Sequence, residues 1–342
     1  MLGQRECEER RALIGQARAR PRTAARELAR HGALPTAWVL VIVLFGALEP
    51  DTFLTSANFQ TIFGSQAVLA VVTLALVFPL TAGDYDLSVA AVVSLSAMVT
   101  AVLNVNAGWP VGWAVLVAIC AGLLVGLING ALVVAVRLNA FIATLGSGAF
   151  VTGVVLWISG STTIGGISTG LVDPVTRTFL GLPLSFYYGL VLCAVIWYLL
   201  DLTALGRRLL FVGKGRDVAR LSGVRVGRLR WGALIGSATI AAVAGVLYAG
   251  TNGSADPSSA TSFLLPAYAA AFVGATSTVP SRFNPWGSIM AVYFLATGIT
   301  GLELLGAASF VQQLFYGGAL VIAAATAELL RRASAEEAGR TG

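Results

Sequence analysis

Residues 62–82 read IFGSQAVLAVVTLALVFPLTA, a stretch without a single acidic or basic side chain. A helix needs about 20 mostly apolar residues to cross the hydrocarbon core of a bilayer, and this stretch is long enough. Nine other apolar stretches meet the requirement or come close to it, at 36–49, 87–105, 111–136, 140–159, 184–200, 231–250, 263–279, 286–304 and 309–330. The sequence therefore predicts an all-α integral membrane protein with about ten transmembrane helices.

The composition leads to the same prediction. Of the 342 residues, 57% are hydrophobic and only 11% are charged, whereas a soluble domain carries about 25% charged residues. A chain of this size cannot bury so much apolar surface in a core of its own, so most of it faces lipid. We expect one membrane domain over 35–331, a basic cytoplasmic segment over 1–34 and a short cytoplasmic tail over 332–342.

The positive charges predict the orientation of these helices. Of the 22 Lys and Arg residues, eight precede residue 31, eight lie within 207–230 and three follow residue 330. Cytoplasmic loops carry an excess of Lys and Arg. If both termini are cytoplasmic, 21 of the 22 positive charges lie inside and only Arg177 lies outside. Charge blocks beside apolar stretches are typical of juxtamembrane segments, so we expect contact with lipid and no nucleic-acid partner.

A weak internal similarity suggests a repeat. The stretch from Trp113 to Phe141 loosely resembles the stretch from Trp286 to Phe310, and these fall on the fourth and ninth predicted helices. Copies five helices apart have opposite orientations in the membrane, which is the arrangement of an inverted repeat. We therefore expect a five-plus-five inverted repeat, with chance similarity between glycine-rich helices as the alternative.

The segment PLTAGDYDLS at 79–88 interrupts the apolar pattern with two acids. An ionisable side chain at membrane depth is costly and is a functional candidate by default. Pro79 and Gly83 are expected to end the preceding helix, and Asp86 can cap the N–H groups that begin the next one. Two interpretations of Asp84 and Asp86 stay open, a helix cap at the membrane interface and a direct place on the substrate path.

The basic loop at 201–230 contains the signals of a short helix. Asp217 or its neighbour can start the helix, Val218 and Leu221 give it an apolar edge, and Gly223 can stop it. A short helix with one apolar edge and flanking arginines suits docking into a groove on a partner. The alternative is an anchor that only fixes the membrane orientation.

The sequence also lacks the elements of an enzyme. The stretch around Lys214 lacks the glycine spacing of a P-loop. His31 is the only histidine, and the three cysteines share no metal or redox spacing. No Ser or Cys has a partner base in view. We expect no catalytic site, no metal and no cofactor in this chain.

Several segments together resemble the permease subunits of ribose-type sugar ABC importers, a group related to branched-chain amino acid permeases. Residues 82–89, AGDYDLSV, are similar to the family segment Gly-Gly-Ile-Asp-Leu-Ser-Val. NGALVV at 129–134 and FIATLG at 141–146 have family counterparts, and so does the loop from Gly206 to Val224. The resemblance covers about 36–332. It departs at Asp84 and Tyr85, where the family has Gly-Ile.

The resemblance implies a bacterial inner-membrane complex with other subunits. These are a cytoplasmic ABC ATPase that binds the ATP, an extracytoplasmic substrate-binding protein and a second permease copy, identical or not. It also implies residue roles. The element that couples to the ATPase would be Arg216, Asp217, Val218, Ala219, Arg220, Leu221, Ser222 and Gly223. The substrate-path candidates are Asp84, Asp86, Ser88, Asn129, Phe141 and Thr144.

The expected function is import of a pentose, hexose or related polyol, driven by ATP hydrolysis on the separate subunit. Three alternatives stay open. The first is an ABC permease for an amino acid or nucleoside. The second is an ion-coupled secondary transporter that uses Asp84 and Asp86 as ion ligands. The third is a membrane protein that transports nothing.

Overall fold

The structure is a computed structural model, and it describes residues 32–277 and 282–340. The predicted basic segment over 1–34 lies outside the described residues except for its last three positions. Helices occupy all ten predicted apolar stretches along the described chain, and four short helices lie between these stretches. The bounds of all these helices are α1 Gly32–Leu48, α2 Pro50–Phe53, α3 Ser56–Ser65, α4 Ala67–Thr81, α5 Val89–Ala101, α6 Val111–Gly130, α7 Ala140–Ser159, α8 Thr169–Thr176, α9 Leu184–Trp197, α10 Ala204–Lys214, α11 Arg216–Leu221, α12 Val226–Asn252, α13 Leu264–Ser277, α14 Pro285–Leu304 and α15 Phe310–Arg340.

Eight helical segments in the described residues are long and apolar enough to cross a membrane: Ser56–Thr81, Val89–Asn106, Val111–Ala135, Ala140–Ser159, Leu184–Leu202, Val226–Asn252, Pro285–Leu304 and Phe310–Leu329. Two shorter apolar helices, Gly32–Leu48 and Ala260–Thr276, occupy the first and eighth predicted positions. The all-α membrane class is thus confirmed with eight such helices. The count of ten, the cytoplasmic termini and the inverted repeat stay predictions.

Helices α4, α5, α12 and α14 form the centre of the molecule. Every residue of α4 is buried, and α12 packs against α4, α5 and α6. Small residues allow this close approach. A Cβ atom on Gly126 of α6 would lie only 2.9 Å from the Cβ atom of Ala238 on α12. The centre therefore places α12 within direct reach of the linker between α4 and α5.

The outer helices α6, α7, α9 and α15 keep one apolar face exposed. On α7, Ile142 is 65% exposed and Trp157 is 81% exposed. Apolar surface of this extent is typical of contact with lipid or with another subunit. Three of the membrane-spanning segments end in a π-helical turn, at Val102–Asn106, Ala131–Ala135 and Tyr198–Leu202.

Short extended pieces lie outside the helices. β1 (Ile164–Gly165) pairs antiparallel with β4 (Ser254–Ala255), and β2 (Thr178–Phe179) pairs antiparallel with β3 (Leu182–Pro183). The first pair joins the segment after α7 to the segment after α12. These pieces are two residues long and do not change the fold class.

Candidate functional site

The linker 82–88 joins α4 to α5 and begins with a tight turn. Gly83 has φ +73°, a left-handed value that glycine adopts without strain. The N–H of Asp84 donates to the carbonyl of Pro79 at 2.9 Å and the N–H of Gly83 donates to that of Leu80 at 3.1 Å. This pair of bonds is the Schellman motif that ends many helices. Gly83 thus ends α4, as predicted.

The prediction for Pro79 was wrong, because α4 continues past it to Thr81. A proline inside a helix removes only its own N–H donor and strains one turn. The carbonyl of Pro79 is instead used by the closing turn, through the bond from Asp84. The break in the helix therefore falls at Gly83, four residues later than Pro79.

Asp86 is fully buried and holds the start of α5. Its Oδ1 accepts from the N–H of Ser88 at 3.0 Å and from the Ser88 hydroxyl at 2.6 Å. The Tyr268 hydroxyl of α13 accepts from the Asp86 N–H at 3.1 Å and donates to the Asp86 carbonyl at 3.0 Å. Asp86 thus bonds to Ser88, the residue before α5, and not to the N–H groups of the first turn of α5, so the predicted helix cap was wrong. A second helix holds the backbone of the same residue.

The same network reaches α6 and α7. The Asn129 side-chain amide donates to the Ser88 hydroxyl at 2.9 Å, and the Leu87 N–H donates to the Thr144 hydroxyl at 3.0 Å. Ser88, Asn129 and Thr144 are fully buried. The structure therefore brings four of the six path candidates, Asp86 included, into one buried polar cluster.

Some polar atoms of this cluster lack a partner of ordinary geometry among the described residues. They are Oδ2 of Asp86, Oδ1 of Asn129 and Oγ of Ser237. Burial raises the pKa of the Asp86 carboxyl above its ordinary value, and the hydroxyls of Ser88 and Ser237 lower it in part. A buried carboxylate without a cation beside it is costly, so the environment favours the neutral acid.

Asp84 has the opposite environment, because two arginines contact its carboxylate. Arg230 donates from Nε to Oδ2 at 2.6 Å and from Nη2 to Oδ1 at 2.8 Å. Arg216 donates from Nη2 to Oδ1 and to the Gly83 carbonyl, both at 2.8 Å. Asp84 is only 4% exposed. We call Asp84, Arg216 and Arg230 the Asp84 clamp.

The predicted short helix is present as α11, Arg216–Leu221. It starts at the neighbour of Asp217 and is followed by Gly223 at φ +79°. Its expected apolar edge faces outward in this chain, since Val218 is 59% exposed and Leu221 is 89% exposed. Ala219 is buried and fixes the opposite side of the helix.

A cavity of about 900 Å³ opens between the linker, the α6–α7 loop and α11. Its lining includes Gly83, Asp84, Tyr85, Arg137, Asn139, Phe141, Arg216, Asp217, Arg220 and Arg230. Of the six path candidates, Asp84 and Phe141 line this cavity. Phe141 is 48% exposed, and its N–H donates to the Asn139 side chain at 2.9 Å. The other four lie in the buried cluster, and the place of all six on a substrate path stays a prediction.

Sequence reasoning missed two residues of this site, Arg230 and Tyr268. Arg230 was expected only as a member of the basic loop, and Arg216 was expected in the coupling element, but no contact of either with Asp84 was predicted. Tyr268 lies in the apolar stretch LLPAYAAAF at 264–272 and gave no signal of its own. The one available signal was Asp84 itself, because a buried acid needs a cation and the basic loop is the nearest rich source of arginines.

Comparisons with known proteins give the family of the chain. Residues 58–324 match the family described as "Branched-chain amino acid transport system / permease component". The D-allose transport system permease protein AlsC of Escherichia coli is 29% identical over 293 residues, which cover 86% of this chain and 90% of that protein. The ribose import permease protein RbsC of Bacillus subtilis is 31% identical over 286 residues, which cover 83% of this chain and 88% of that protein.

A third relative has another named cargo. The autoinducer 2 import system permease protein LsrD of Salmonella paratyphi A is 27% identical over 297 residues, which cover 85% of this chain and 89% of that protein. No solved structure matches the chain. The family match covers most of the chain and includes the linker, the buried cluster and α11. The protein therefore belongs to the permease-component family of branched-chain amino acid transport systems, and the predicted resemblance to ABC-importer permeases is confirmed.

Proposed function

We propose that this chain is the membrane-spanning subunit of an ABC importer that moves a sugar or a related polyol across the bacterial inner membrane. The observation that carries the proposal is the match over most of the chain to import permeases, two of which are named for the aldoses allose and ribose. Such a subunit is not an enzyme itself. Its energy comes from ATP bound and hydrolysed by a separate subunit.

The exposed edge of α11 supports the presence of that ATPase partner. Val218 and Leu221 project an apolar surface from a short helix that also carries the charged residues Arg216, Asp217 and Arg220. Such side chains in a polar setting are typical of the centre of a protein interface. We propose that the coupling element from Arg216 to Gly223, which consists of α11 and the two residues after it, inserts into a groove of the ATPase.

The remaining partners follow from the same function. With ten membrane helices and both termini in the cytoplasm, α11 lies inside and the loop 160–183 lies outside. A substrate-binding protein would dock on that outer side. A second permease copy would cover part of the exposed apolar faces of the outer helices, and lipid would cover the rest.

Asp84 supports this function over a cation-coupled transporter. Its carboxylate is already compensated by two arginines, so a coupling cation has no free charge to bind there. An amino acid or nucleoside as cargo stays an alternative that only a transport experiment separates from a sugar.

The test is reconstitution of the chain in lipid vesicles with candidate ABC ATPases and substrate-binding proteins from the same organism. We expect ATP hydrolysis to rise with one or a few members of a panel of pentoses, hexoses and inositols, and the same compound to accumulate. Stimulation by an amino acid or nucleoside instead would change the proposed cargo. Uptake that needs an ion gradient and no ATPase would refute the ABC assignment.

A further inference from the structure

One carboxylate joins three separate elements at the inner end of the membrane domain. Asp84 lies on the linker 82–88, Arg216 is the first residue of α11 and Arg230 lies in the second turn of α12. All their contacts are hydrogen-bonded ion pairs of 2.6 to 2.8 Å. Charge-assisted bonds of this kind fix direction as well as distance. Movement of α11 must therefore carry the linker with it or break the Arg216 contact.

Backbone contacts strengthen this joint. The end of α10 approaches the end of α4 so closely that a Cβ atom on Gly213 would collide with the carbonyl oxygen of Thr81. The ideal Cβ position of Gly83 is 3.6 Å from the Cα atom of Gly213. The α10–α11 segment thus meets the linker through main chain and side chain together, with no flexible spacer between them.

The end of the linker next to α5 is also held by several hydrogen bonds. Two residues after Asp84, the backbone of Asp86 is bonded to Tyr268 and its side chain to Ser88. Tyr85 lies between these two anchors, 46% exposed, with its ring 6.3 Å from that of Tyr268. A displacement that enters at Asp84 therefore reaches the buried cluster within two residues.

The linker also separates two cavities. Asp84 and Tyr85 line the cavity of about 900 Å³ beside α11. They line as well a second cavity of about 360 Å³, whose other walls include Phe272, Phe283 and Ala324. A shift of the linker changes the shape of both spaces at once.

We propose that Asp84 is the positioning residue that passes movement of α11 to the linker 82–88, and through it to the walls of these cavities. The inference rests on the proposed function, in which α11 contacts the ATPase. Asp84 occupies a position where the resembled family has glycine, which cannot form an ion pair. The clamp would therefore be a link that this chain adds to the joint.

The sharpest variant is Arg216→Gln. It removes the contact between α11 and Asp84 and leaves the two-pronged bond from Arg230 in place, so the buried acid stays paired. The matched control is Arg228→Gln, an exposed arginine in the first turn of α12 for which the described residues give no ion pair. Asp84→Asn tests the other partner of the ion pair. Asp84→Glu keeps the charge and should retain more transport per ATP than Asp84→Asn.

The measurement is the amount of solute transported per ATP hydrolysed in reconstituted vesicles, together with the amount of ATPase that co-purifies. For Asp84→Asn we expect co-purification and hydrolysis to persist while transport per ATP falls about tenfold, which corresponds to about 1.4 kcal/mol, the scale of one hydrogen bond to a charged group. For Arg216→Gln, which also lies in the segment proposed to contact the ATPase, we expect the same fall in transport per ATP. Arg228→Gln should match the unaltered protein. Because both variants break one contact, the double variant should be no worse than the more affected single one.

A conformational readout separates coupling from simple stability. A Tyr85→Cys reporter, in a chain whose Cys7, Cys120 and Cys193 are replaced and which still transports, is labelled with a thiol reagent. Addition of ATPase and a non-hydrolysable ATP analogue should change the labelling rate, and Asp84→Asn should abolish that change. Unchanged transport per ATP in both Arg216→Gln and Asp84→Asn would overturn the proposal. Failure of the unaltered permease to bind any ATPase would instead refute the proposed function.

Discussion

The guanidinium of Arg230 donates two hydrogen bonds to the carboxylate of Asp84, from Nε at 2.6 Å and from Nη2 at 2.8 Å. The two residues are 146 positions apart in the chain, and the pair joins the end of one membrane helix to the beginning of another. Arg230 is 15% exposed and Asp84 is 4% exposed, so solvent screens the pair only weakly. The pair therefore serves as an anchor for the start of α12.

Arg230→Lys should weaken this anchor although it keeps the charge. A lysine ammonium is a point charge and cannot reproduce the planar two-pronged bond. We expect a loss of about 1–2 kcal/mol in the free energy of unfolding, the scale of one hydrogen bond to a charged group. Thermal unfolding of the purified permease in detergent measures it. Arg228→Lys is the control, and an equal effect of the two substitutions would show that the pair contributes nothing specific.

Gly213→Ala should displace α10 from α4. A methyl group at this position would overlap the carbonyl oxygen of Thr81, which belongs to the backbone and cannot move aside cheaply. We expect a destabilisation of about 1–3 kcal/mol from overpacking, read out as a lower unfolding temperature. Gly232→Ala is the matched control, because a Cβ atom there meets nothing within 4 Å. That substitution should be neutral or slightly stabilising, since alanine favours a helix. If both substitutions behaved alike, the close approach of α10 would not matter to stability.

Much of this fold follows from local sequence signals, because hydrophobic length alone predicts membrane helices. The turn at Gly83 and the helix after Gly215 were also predictable from local signals, because glycine acts on the backbone within a few positions of itself. The contact between Asp84 and Arg230 was not, because an ion pair across 146 positions depends on how α4 and α12 pack. Proline is a less certain signal than glycine, since α4 continues past Pro79 to Thr81 and turns only at Gly83.

Asp86→Asn should be tolerated far better than Asp86→Ala. Asparagine keeps an oxygen that can accept from the N–H and hydroxyl of Ser88, whereas alanine leaves both donors buried without a partner. We expect Asp86→Ala to lose about 1–3 kcal/mol, the cost of leaving a buried donor unsatisfied. Thermal unfolding of the two variants side by side gives the comparison. Equal unfolding temperatures would show that the network around Ser88 does not depend on this side chain.

Asp86→Asn also tests the protonation of Asp86. Its pKa is raised in the folded protein by burial, so the folded state binds a proton that the unfolded state has already released. The free energy of unfolding should therefore fall as pH rises from the ordinary carboxyl pKa to the raised one. Subtracting the pH profile of Asp86→Asn from that of the unaltered protein isolates this dependence. A difference that stays constant with pH would show that folding does not shift the pKa of Asp86.

Membrane orientation can be tested with single cysteines in the background without Cys7, Cys120 and Cys193. A membrane-impermeant thiol reagent added to intact cells should label Thr176→Cys, which is exposed on α8. It should label Arg228→Cys only after the membrane is opened. This pattern follows from the excess of positive charge within 207–230. Labelling of position 228 in intact cells would invert the proposed topology.

The role of α11 is tested best by residues that the fold itself does not need. Leu221 is 89% exposed, so Leu221→Asp should leave expression, insertion and thermal unfolding of the permease unchanged. If Leu221 inserts into the ATPase, a buried unpaired charge would replace an apolar contact, and co-purification and transport should be lost. Leu180→Asp is the matched control, because Leu180 is also exposed, at 82%, and lies in the loop predicted to be outside.

Gly223 gives an independent test of the same helix. Its φ of +79° suits glycine and, at some cost, asparagine, but it is strongly unfavourable for a β-branched residue. Gly223→Val should therefore distort the end of α11 and reduce transport and ATPase binding, whereas Gly223→Asn should retain most of both. A Cβ atom at this position meets nothing within 4 Å, so backbone strain and not a steric clash would cause the loss. If Leu221→Asp and Gly223→Val both transported normally, α11 would be only an anchor that fixes the membrane orientation.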